Sequence, residues 1–453
     1  MPAFQRESCV EMAGNDVQDD PYDLVCVGFG PASLAIAVAL ADKNISAKVL
    51  YLERQLEFKW HAGMLLPDAR MQISFLKDLA TLRDPRSHFT FLNYLKCKNR
   101  LVAFTNLSTF LPLREEYNDY LAWCASHFDE YVRYGQETLE VSPCGNRKGA
   151  VDSWTILCND VTTNERRTFK ARHVVIAVGG KPKIPKGLSD APSDTVIHSS
   201  CYSNAISKII GDQRSKRSVA IIGGGQSAAE IFNDLQSRCQ NTWVSLYTGD
   251  SALRPSDDSP FVNEIFDPER VDKFYDLPIG AQSDTLQRNK ATNYGVVRGE
   301  LLDRLYESMY HQRLHEPDES KWQYRIMPYS EIVGHEQQSS GQLRLRMRNT
   351  LDGTINLSKS AFDVVIVGTG YSRNAHETML GPTKSLLETG KYDIGRNYKV
   401  KYHKDAVQPD CAVWLQGCCQ DSHGLSDTLL SILAVRGGEL VDSIFPQTNG
   451  THW

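Results

Sequence analysis

The chain has 453 residues, and at about 100–200 residues per domain this length predicts two or three domains. Hydrophobic residues make up 41% and charged residues 23%, a balance typical of globular proteins and not of disordered or fibrous ones. With 50 Lys and Arg against 55 Asp and Glu, the formal charge is −5. A general attraction to nucleic acid is therefore not expected, and we exclude nucleic acid as a partner.

The eleven cysteines and the N-terminal segment indicate a cellular compartment. The cysteines are odd in number and contain no C-x-x-C pair, so we expect neither a disulfide framework nor a zinc or other metal site. Residues 1–20 form a polar leader that we expect to be disordered, and no stretch of about 18 apolar residues follows it. The sequence thus predicts a cytoplasmic protein that does not associate with membranes.

A first strand, helix and strand follow the leader. Residues 22–27 are a short apolar run, residues 31–41 have a helical pattern, and residues 48–52 are a second apolar run. This unit spans about thirty residues, which is the length of a parallel βαβ crossover. It predicts a Rossmann-like unit.

The residues at the turns of this unit fit a dinucleotide. Gly28 and Gly30 would let the backbone approach a pyrophosphate, while the helix N-terminus offers unpaired N–H groups. Glu53 ends the second strand, where an acidic side chain accepts hydrogen bonds from ribose hydroxyls. Ser33 stands where a third glycine is expected. A plain tight turn would explain the two glycines, but the whole pattern favours a bound dinucleotide.

A second unit of the same kind lies in the middle of the chain. Residues 218–222 lead into the turn GGGQS, then a helical pattern and the strand 243–247. The first acid after this strand is Asp250, which lies beyond its tip and so disfavours plain NAD binding. A 2′-phosphate would suit a nearby basic side chain, and Arg254 is the nearest one. A vestigial second Rossmann-like layer remains an alternative.

The order of these units predicts an insertion. Two further strands, 173–178 and 363–367, run into glycines and flank the second unit, while 335–341 predicts a loop and 343–347 an amphipathic strand. We therefore predict an α/β fold with two Rossmann-like dinucleotide-binding domains, one for a flavin and one for a nicotinamide cofactor. The segments 21–205 and 362–446 would form the FAD-binding domain, and 206–361 the inserted NADPH-binding domain.

The cysteines distinguish among the chemistries that use both cofactors. A disulfide reductase needs a redox-active cysteine pair near the first unit, and residues 28–96 contain no cysteine. The vicinal pair Cys418-Cys419 is more often packing than redox chemistry. The sequence therefore disfavours a disulfide reductase.

Several segments are more specific than the glycine turns. Residues 71–79 (MQISFLKDL), 84–86 (DPR), 254–264 (RPSDDSPFVNE) and 423–427 (HGLSD) resemble the microbial N-hydroxylating flavin monooxygenases. The chain most resembles the fungal L-ornithine N5-monooxygenases of hydroxamate siderophore biosynthesis, from about residue 22 to residue 445. The resemblance implies FAD and NADPH as cofactors, L-ornithine and O2 as substrates, a helical substrate-binding portion and a homotetramer.

The resemblance also implies roles for single residues. It places FAD contacts at Gly28, Gly30, Pro31, Ser33, Glu53, Trp60, His61, Gln72, Thr138, Thr428, Leu429 and Leu430. It places NADPH contacts at Gly223, Gly224, Gly225, Gln226, Ser227 and Asn293, and ornithine contacts at Lys77, Asn263 and Ser431. No side chain is implied as a catalyst, because the flavin carries the chemistry. The family has an arginine for the 2′-phosphate where this chain has Gly249, so preference for NADPH over NADH does not follow from the residues.

The implied reaction agrees with the chemistry of an amino acid substrate. NADPH would reduce FAD, O2 would form a C4a-hydroperoxide on the flavin, and the neutral side-chain amine would take one oxygen atom to give N5-hydroxyornithine. Lys77 can pair with the α-carboxylate, and Asn263 and Asn293 can supply amide groups. Because one methylene is worth only about 1–3 kcal/mol in a pocket, hydroxylation of lysine N6 or of another amine remains an alternative. A catalytically silent flavin-binding protein is a further one.

Overall fold

The computed structural model describes residues 20–145, 149–210, 216–238 and 241–446. The predicted leader 1–20 lies outside these ranges except for Asp20. The strands are β1 Tyr22–Val27, β2 Val49–Glu53, β3 Val132–Tyr134, β4 Gln136–Gly145, β5 Val151–Asp160, β6 Arg166–Ile176, β7 Lys181–Pro182, β8 Val196–His198, β9 Arg217–Ile222, β10 Thr242–Tyr247, β11 Arg254–Pro255, β12 Val296–Val297, β13 Tyr324–Met327, β14 Ser330–Gln337, β15 Leu343–Asn349, β16 Ile355–Leu357, β17 Val364–Val367, β18 Tyr371–Ser372 and β19 Ala412–Leu415.

The helices differ widely in length. They are α1 Pro31–Asp42, α2 Phe91–Cys97, α3 Leu101–Asn106, α4 Arg114–Ser126, α5 Tyr202–Ile210, α6 Gln226–Arg238, α7 Pro260–Asn263, α8 Arg270–Tyr275, α9 Ile279–Asn293, α10 Gly299–His315, α11 Ala375–Met379, α12 Gln420–His423 and α13 Leu433–Ile444. In the described ranges, no helix combines the length and apolar character needed to cross a membrane.

The first sheet contains the first glycine turn. Its order is β3-β2-β1-β6-β5-β4, and β19 also pairs with β6. Strands β3, β2, β1, β6 and β19 are parallel, whereas β4, β5 and the first half of β6 form an antiparallel extension. The turns after the parallel strands therefore meet at one edge of this sheet, which is where α/β proteins bind nucleotides.

The second sheet contains the second glycine turn and is parallel throughout, in the order β13-β10-β9-β17-β8. Its strands are apolar on both faces, as expected for a parallel sheet covered on both sides. Val219 and Ile221 pack into one cluster with residues of α5, α6 and α10, and Ala220 and Ile222 pack into another with residues of β14 and β15.

The strand order confirms the predicted insertion but changes its limits. The strands of the second sheet come between β6 and β19 of the first sheet. However, β8 and β17 also belong to the second sheet, so the predicted range 206–361 omits two of its five strands. The residues of an apolar strand do not indicate which sheet the strand joins. The predicted loop 335–341 is also shorter, because β14 continues to Gln337.

Helix α1 lies at the centre of the first unit. Residues 33–40 are all buried, so the helix is enclosed on every side rather than amphipathic. Helix α13 packs against it at Gly437, where an added Cβ would lie 2.8 Å from the Ala35 carbonyl oxygen. This close packing of the last helix against the first nucleotide helix places the segment before α13 next to the first glycine turn.

Candidate active site

The first glycine turn combines a close backbone contact with open space. Gly28 has φ +89°, and an added Cβ would lie 2.7 Å from the Ala177 carbonyl oxygen, so only glycine fits there. An added Cβ at Gly30 would meet no atom within 4 Å. No side chain caps α1, which begins at Pro31, so its first N–H groups face this space without a side-chain acceptor. This arrangement fits a pyrophosphate.

Glu53 and Ser33 are fixed against this turn. The Glu53 carboxylate is buried and accepts hydrogen bonds from the backbone N–H of Phe29 at 2.8 Å and of Gln55 at 2.9 Å. Each oxygen keeps a further lone pair for a ribose hydroxyl. The Ser33 hydroxyl donates to the Gly28 carbonyl oxygen at 2.6 Å. The serine that replaces the third glycine therefore ties the helix to the turn.

His61 carries a neutral imidazole. Its pKa is lowered to about 4, first by the protein around it and then by the positive charges of Arg114 and Arg373. Its side chain keeps solvent-accessible surface, so the neutral imidazole can contact a ligand. The ring of Trp60 lies 4.9 Å from the His61 ring.

Gln72 and Thr138 lie in different surroundings. Gln72 is exposed, in the segment that leads to Lys77. Thr138 is buried in β4, and its hydroxyl oxygen lies 3.4 Å from the Cys158 sulfur. The side chain of Thr138 is thus engaged within the sheet. A cofactor contact at this position would use the backbone.

The second glycine turn packs tightly against its neighbours. An added Cβ would lie 2.5 Å from the Gly368 carbonyl oxygen at Gly223, and 2.6 Å from the Thr248 hydroxyl oxygen at Gly224. At Gly225 the nearest atom would be the Gly295 Cα, at 3.5 Å. These glycines allow the ends of several strands and loops to meet at the start of α6.

Gln226, at that start, belongs to a network that sequence analysis missed. Its amide nitrogen donates to Glu230 at 2.9 Å, and its amide oxygen accepts from the Arg298 N–H at 2.9 Å. Both Glu230 oxygens accept from the Arg114 guanidinium at 2.8 Å. This pair joins α4 to α6 across 116 positions, so no local pattern could reveal it. Both ends of the Gln226 amide are engaged by these contacts, and the backbone N–H groups of Gln226 and Ser227 remain for a phosphate.

Two of the three predicted ornithine residues contact one short segment, and the third lies directly before it. Lys77 Nζ lies 3.9 Å from Asp267 Oδ1, and the Ser431 hydroxyl lies 3.5 Å from the Phe266 carbonyl oxygen. Asn263 ends α7 just before this segment and donates from its amide to the Asp258 carbonyl oxygen at 2.8 Å. Asp267 was not predicted. Because 3.9 Å is long for a hydrogen bond, Lys77 keeps the capacity to bind an incoming carboxylate.

Asp78 fixes the backbone next to Lys77. Its carboxylate accepts hydrogen bonds from the N–H of Ala80 at 2.9 Å, the N–H of Thr81 at 2.6 Å, the Thr81 hydroxyl at 2.7 Å and the N–H of Phe91 at 2.7 Å. Burial raises the pKa of Asp78, and the four hydrogen bonds oppose that rise. The loop that carries Lys77 is therefore pinned to the start of α2.

The predicted flavin and nicotinamide segments meet at Tyr294. Its hydroxyl lies 2.9 Å from the Thr428 hydroxyl oxygen and 3.3 Å from the Gln420 amide oxygen. Asn293, the last residue of α9, is half-buried directly before it. Leu429 and Leu430 are also half-buried and lead to the buried Ser431. The segment 428–431 thus connects the predicted flavin contacts to the predicted ornithine contact.

A buried ion pair holds this segment. Asp427 accepts from Arg436 at 2.8 Å and from the Cys419 N–H at 2.7 Å, and both charged side chains are buried. Arg436 also donates to the Asp427 carbonyl oxygen at 2.6 Å. In the part of the chain that the structure describes, no group of three His, Cys, Asp or Glu residues is placed to hold a metal ion.

Comparisons with known proteins agree with this geometry. A family model described as L-lysine 6-monooxygenase/L-ornithine 5-monooxygenase matches residues 20–373. An L-ornithine N(5)-monooxygenase of Ajellomyces capsulatus is 51% identical over 429 residues, which are 93% of this chain and 90% of that protein.

Two solved structures are similar over nearly the whole chain. The ornithine hydroxylase PvdA from Pseudomonas aeruginosa has a TM-score of 0.85 and 36% identity, covering 94% of this chain and 99% of that chain. The Kutzneria sp. 744 ornithine N-hydroxylase KtzI, with reduced FAD, NADP⁺ and L-ornithine, has a TM-score of 0.86 and 34% identity at the same coverage. The two glycine turns and the lysine-bearing loop agree with this similarity, and the chain belongs to the L-lysine 6-monooxygenase/L-ornithine 5-monooxygenase family.

Proposed function

We propose that the chain hydroxylates the side-chain amine of L-ornithine with one oxygen atom of O2, using FAD and NADPH, and so forms N5-hydroxyornithine. The single observation that carries this proposal is that Lys77 and Ser431 lie against Asp267 and Phe266, directly after Asn263. The family membership and the names of the relatives support ornithine as the substrate.

The two glycine turns support the cofactor assignment. FAD fits the first unit, where Gly30 leaves open space and Glu53 is held for a ribose. NADPH fits the second unit, at the N-terminus of α6. A flavin bound in the first unit supplies the redox chemistry, because it accepts hydride from a nicotinamide and activates O2. The protein binds the cofactors, orients the amino acid and excludes water.

The charges near Lys77 support recognition of an amino acid. The Lys77 ammonium can bind the α-carboxylate, and the Asn263 amide oxygen, whose amide nitrogen donates to Asp258, can accept a hydrogen bond from the α-ammonium. The side-chain amine must lose its proton before its lone pair can react, since its ordinary pKa is about 10.4. A nearby positive charge favours that loss.

The biological setting is also part of the proposal. N5-hydroxyornithine is a precursor of hydroxamate groups, and the resemblance to fungal enzymes supports a role in siderophore biosynthesis. The same resemblance supports a cytoplasmic homotetramer. Size-exclusion chromatography with light scattering tests the tetramer, and a monomer at micromolar concentration would contradict it.

A product assay tests the proposed reaction. The purified holoprotein should consume NADPH and O2 and form a hydroxylamine with L-ornithine, and it should form much less with L-lysine. Equal turnover of both amino acids would instead identify a broader amine hydroxylase. A yellow protein whose flavin is not reduced by NADPH would contradict the proposal and favour a silent flavin-binding protein.

A further inference from the structure

The loop after β10 lies directly beside the second glycine turn. The hydroxyl oxygen of Thr248 would be 2.6 Å from a Cβ at Gly224, and a Leu253 methyl would be 4.0 Å from it. In a βαβ dinucleotide unit, the residues at the end of the second strand meet the adenosine ribose. Residues 248–254 therefore face the 2′ position of a nicotinamide dinucleotide bound at this turn.

The backbone of this loop is fixed from the side of β14. The carbonyl oxygen of Thr248 accepts from the Ser330 N–H at 2.8 Å, and that of Asp250 accepts from the Tyr329 N–H at 3.0 Å. The carbonyl oxygen of Gly249 accepts from the Thr350 hydroxyl at 2.8 Å. Three consecutive carbonyl groups are thus satisfied by the protein, and the loop presents its side chains from a rigid platform.

The charges on this platform are balanced. Position 249 has no side chain, and Asp250 Oδ1 lies 3.6 Å from Arg254 Nη2. Both side chains are exposed, at 56% and 59%. Arg325, on the neighbouring strand β13, donates to the carbonyl oxygens of Glu319 and Ser320 at 2.7 and 2.8 Å, so its guanidinium is engaged elsewhere. Asp250 and Arg254 are therefore the charged pair that a 2′ substituent meets.

We propose that the Asp250–Arg254 pair gives the second nucleotide site a dual cofactor preference, so that the chain accepts NADH as well as NADPH. Asp250 accepts a hydrogen bond from the free 2′-hydroxyl of NADH, and Arg254 turns from Asp250 to the 2′-phosphate of NADPH. The nearby carboxylate opposes the phosphate, which limits the preference for NADPH. This inference rests on the proposed binding of a nicotinamide dinucleotide by the second unit.

Two measurements test the proposal without depending on ornithine hydroxylation. The first is the anaerobic rate of flavin reduction by NADPH and by NADH, followed by flavin absorbance in the absence of ornithine. The second is calorimetric binding of 2′,5′-ADP and 5′-AMP to the holoprotein. In the unaltered protein, the ratio of the NADPH and NADH reduction rates and the ratio of the 5′-AMP and 2′,5′-ADP dissociation constants should each lie within about tenfold, because the arginine that meets the phosphate is partly neutralised.

Three substitutions should move these ratios in opposite directions. Arg254→Ala should lower the preference for NADPH and 2′,5′-ADP by about tenfold, and Asp250→Asn should raise it. Gly249→Arg should raise it by tenfold or more, and it fits the structure, because an added Cβ would meet only a Thr350 methyl at 3.8 Å. Arg346→Gln is the matched control, since Arg346 is equally exposed and pairs with Glu336 on β14. It should change neither ratio.

Two outcomes would overturn the proposal. One is a preference for NADPH above about 100-fold in the unaltered protein, which an exposed and neutralised arginine cannot produce. The other is a preference for NADPH over NADH that is the same in the Arg254→Ala and Asp250→Asn variants as in the Arg346→Gln control. If flavin is reduced by both nucleotides but no hydroxylamine forms, this inference stands and only the proposed reaction fails.

Discussion

Lys77, which we propose to bind the ornithine carboxylate, is a charged residue without a close partner among the described residues. Its nearest carboxylate oxygen, on Asp267, is 3.9 Å away, and its loop is pinned by the hydrogen bonds of Asp78. Its side chain is 24% exposed. The ammonium is therefore held in place but only weakly paired, which leaves it free to bind a carboxylate.

Replacing Lys77 should weaken ornithine binding selectively. A charge-assisted hydrogen bond contributes about 1.5–3 kcal/mol, so Lys77→Ala should raise the KM for ornithine by about 10- to 150-fold. Lys77→Arg should recover part of the loss, because it restores the charge with a different shape. Steady-state kinetics with varied ornithine and varied NADPH measure both constants. An equal rise in the KM for NADPH would contradict a substrate role.

His173 makes stability depend on pH. It lies in the buried half of β6, where burial first and the charge of Lys399 second lower its pKa from 6.5 to about 4. Between pH 6.5 and 4 the unfolded state therefore binds the proton more readily than the folded state. Stability should fall as the pH drops through this window, by about 3 kcal/mol at pH 4.

Urea unfolding at pH 7 and at pH 4.5 measures this effect. His173→Gln should lose less stability between the two pH values than the unaltered protein does. His311→Gln, at an exposed position of α10, is the control and should behave like the unaltered protein. If the His173 variant keeps the full pH dependence, other groups cause it.

At the scale of secondary structure elements, the site is built from segments that connect helices and strands. The first glycine turn lies between β1 and α1, and the segment 428–431 lies between α12 and α13. Each is fixed by a contact to another element: Gly28 by the residue after β6, and Asp427 by α13. The helices and strands thus position a site that consists mostly of loops.

Alanine at Gly28 and at Gly30 should have different consequences. At Gly28 the φ of +89° and the contact with Ala177 make a Cβ costly, so the variant should lose about 1–3 kcal/mol of stability. At Gly30 the backbone is extended and the space is open, so the flavin-free protein should keep its stability. Its FAD dissociation constant should rise by tenfold or more, because the Cβ occupies the proposed pyrophosphate space.

Thermal unfolding of the flavin-free variants and fluorescence titration with FAD separate these two effects. A Gly30→Ala variant that binds FAD as tightly as the unaltered protein would contradict the placement of the pyrophosphate. A Gly28→Ala variant of full stability would contradict the described turn.

The ion pair between Arg436 and Asp427 should matter far more than an exposed pair. Arg436→Met leaves the Asp427 carboxylate buried without its cation, which costs about 3–5 kcal/mol. Arg346→Met breaks the exposed pair with Glu336, which is worth at most about 1 kcal/mol. Chemical denaturation compares the two variants, and the Arg436 variant should also retain less flavin after dialysis. Equal losses of stability would contradict the difference in burial.

At the scale of the whole molecule, local sequence patterns predicted the two nucleotide units. They did not predict which distant segments contact each other. Both glycine turns, with their strands and helices, lie where the sequence placed them. The assignment of β8 and β17 to the second sheet was missed, because pairing depends on partners far away in sequence. The same reason hid Asp267 beside Lys77 and Glu230 beside Arg114.

The predicted site residues came from the family resemblance, and their supports came only from the fold. Lys77, Asn263 and Ser431 lie more than 160 positions apart in sequence, yet Lys77 and Ser431 contact Asp267 and Phe266, just after Asn263. Asp78 and Arg436, which fix the neighbouring backbone, form hydrogen bonds that no sequence pattern encodes. The resemblance therefore indicated the ligand, and the structure shows how the residues assigned to that ligand are held.

The central claim is that this chain transfers an oxygen atom from O2 to the side-chain nitrogen of ornithine. The most direct measurement is mass spectrometry of the product formed by the holoprotein with NADPH, L-ornithine and isotopically heavy dioxygen in ordinary water. The account predicts N5-hydroxyornithine that carries one heavy oxygen atom, with the second atom recovered in water. Unchanged ornithine with steady consumption of O2 and NADPH, or a product whose oxygen comes from water, would contradict it.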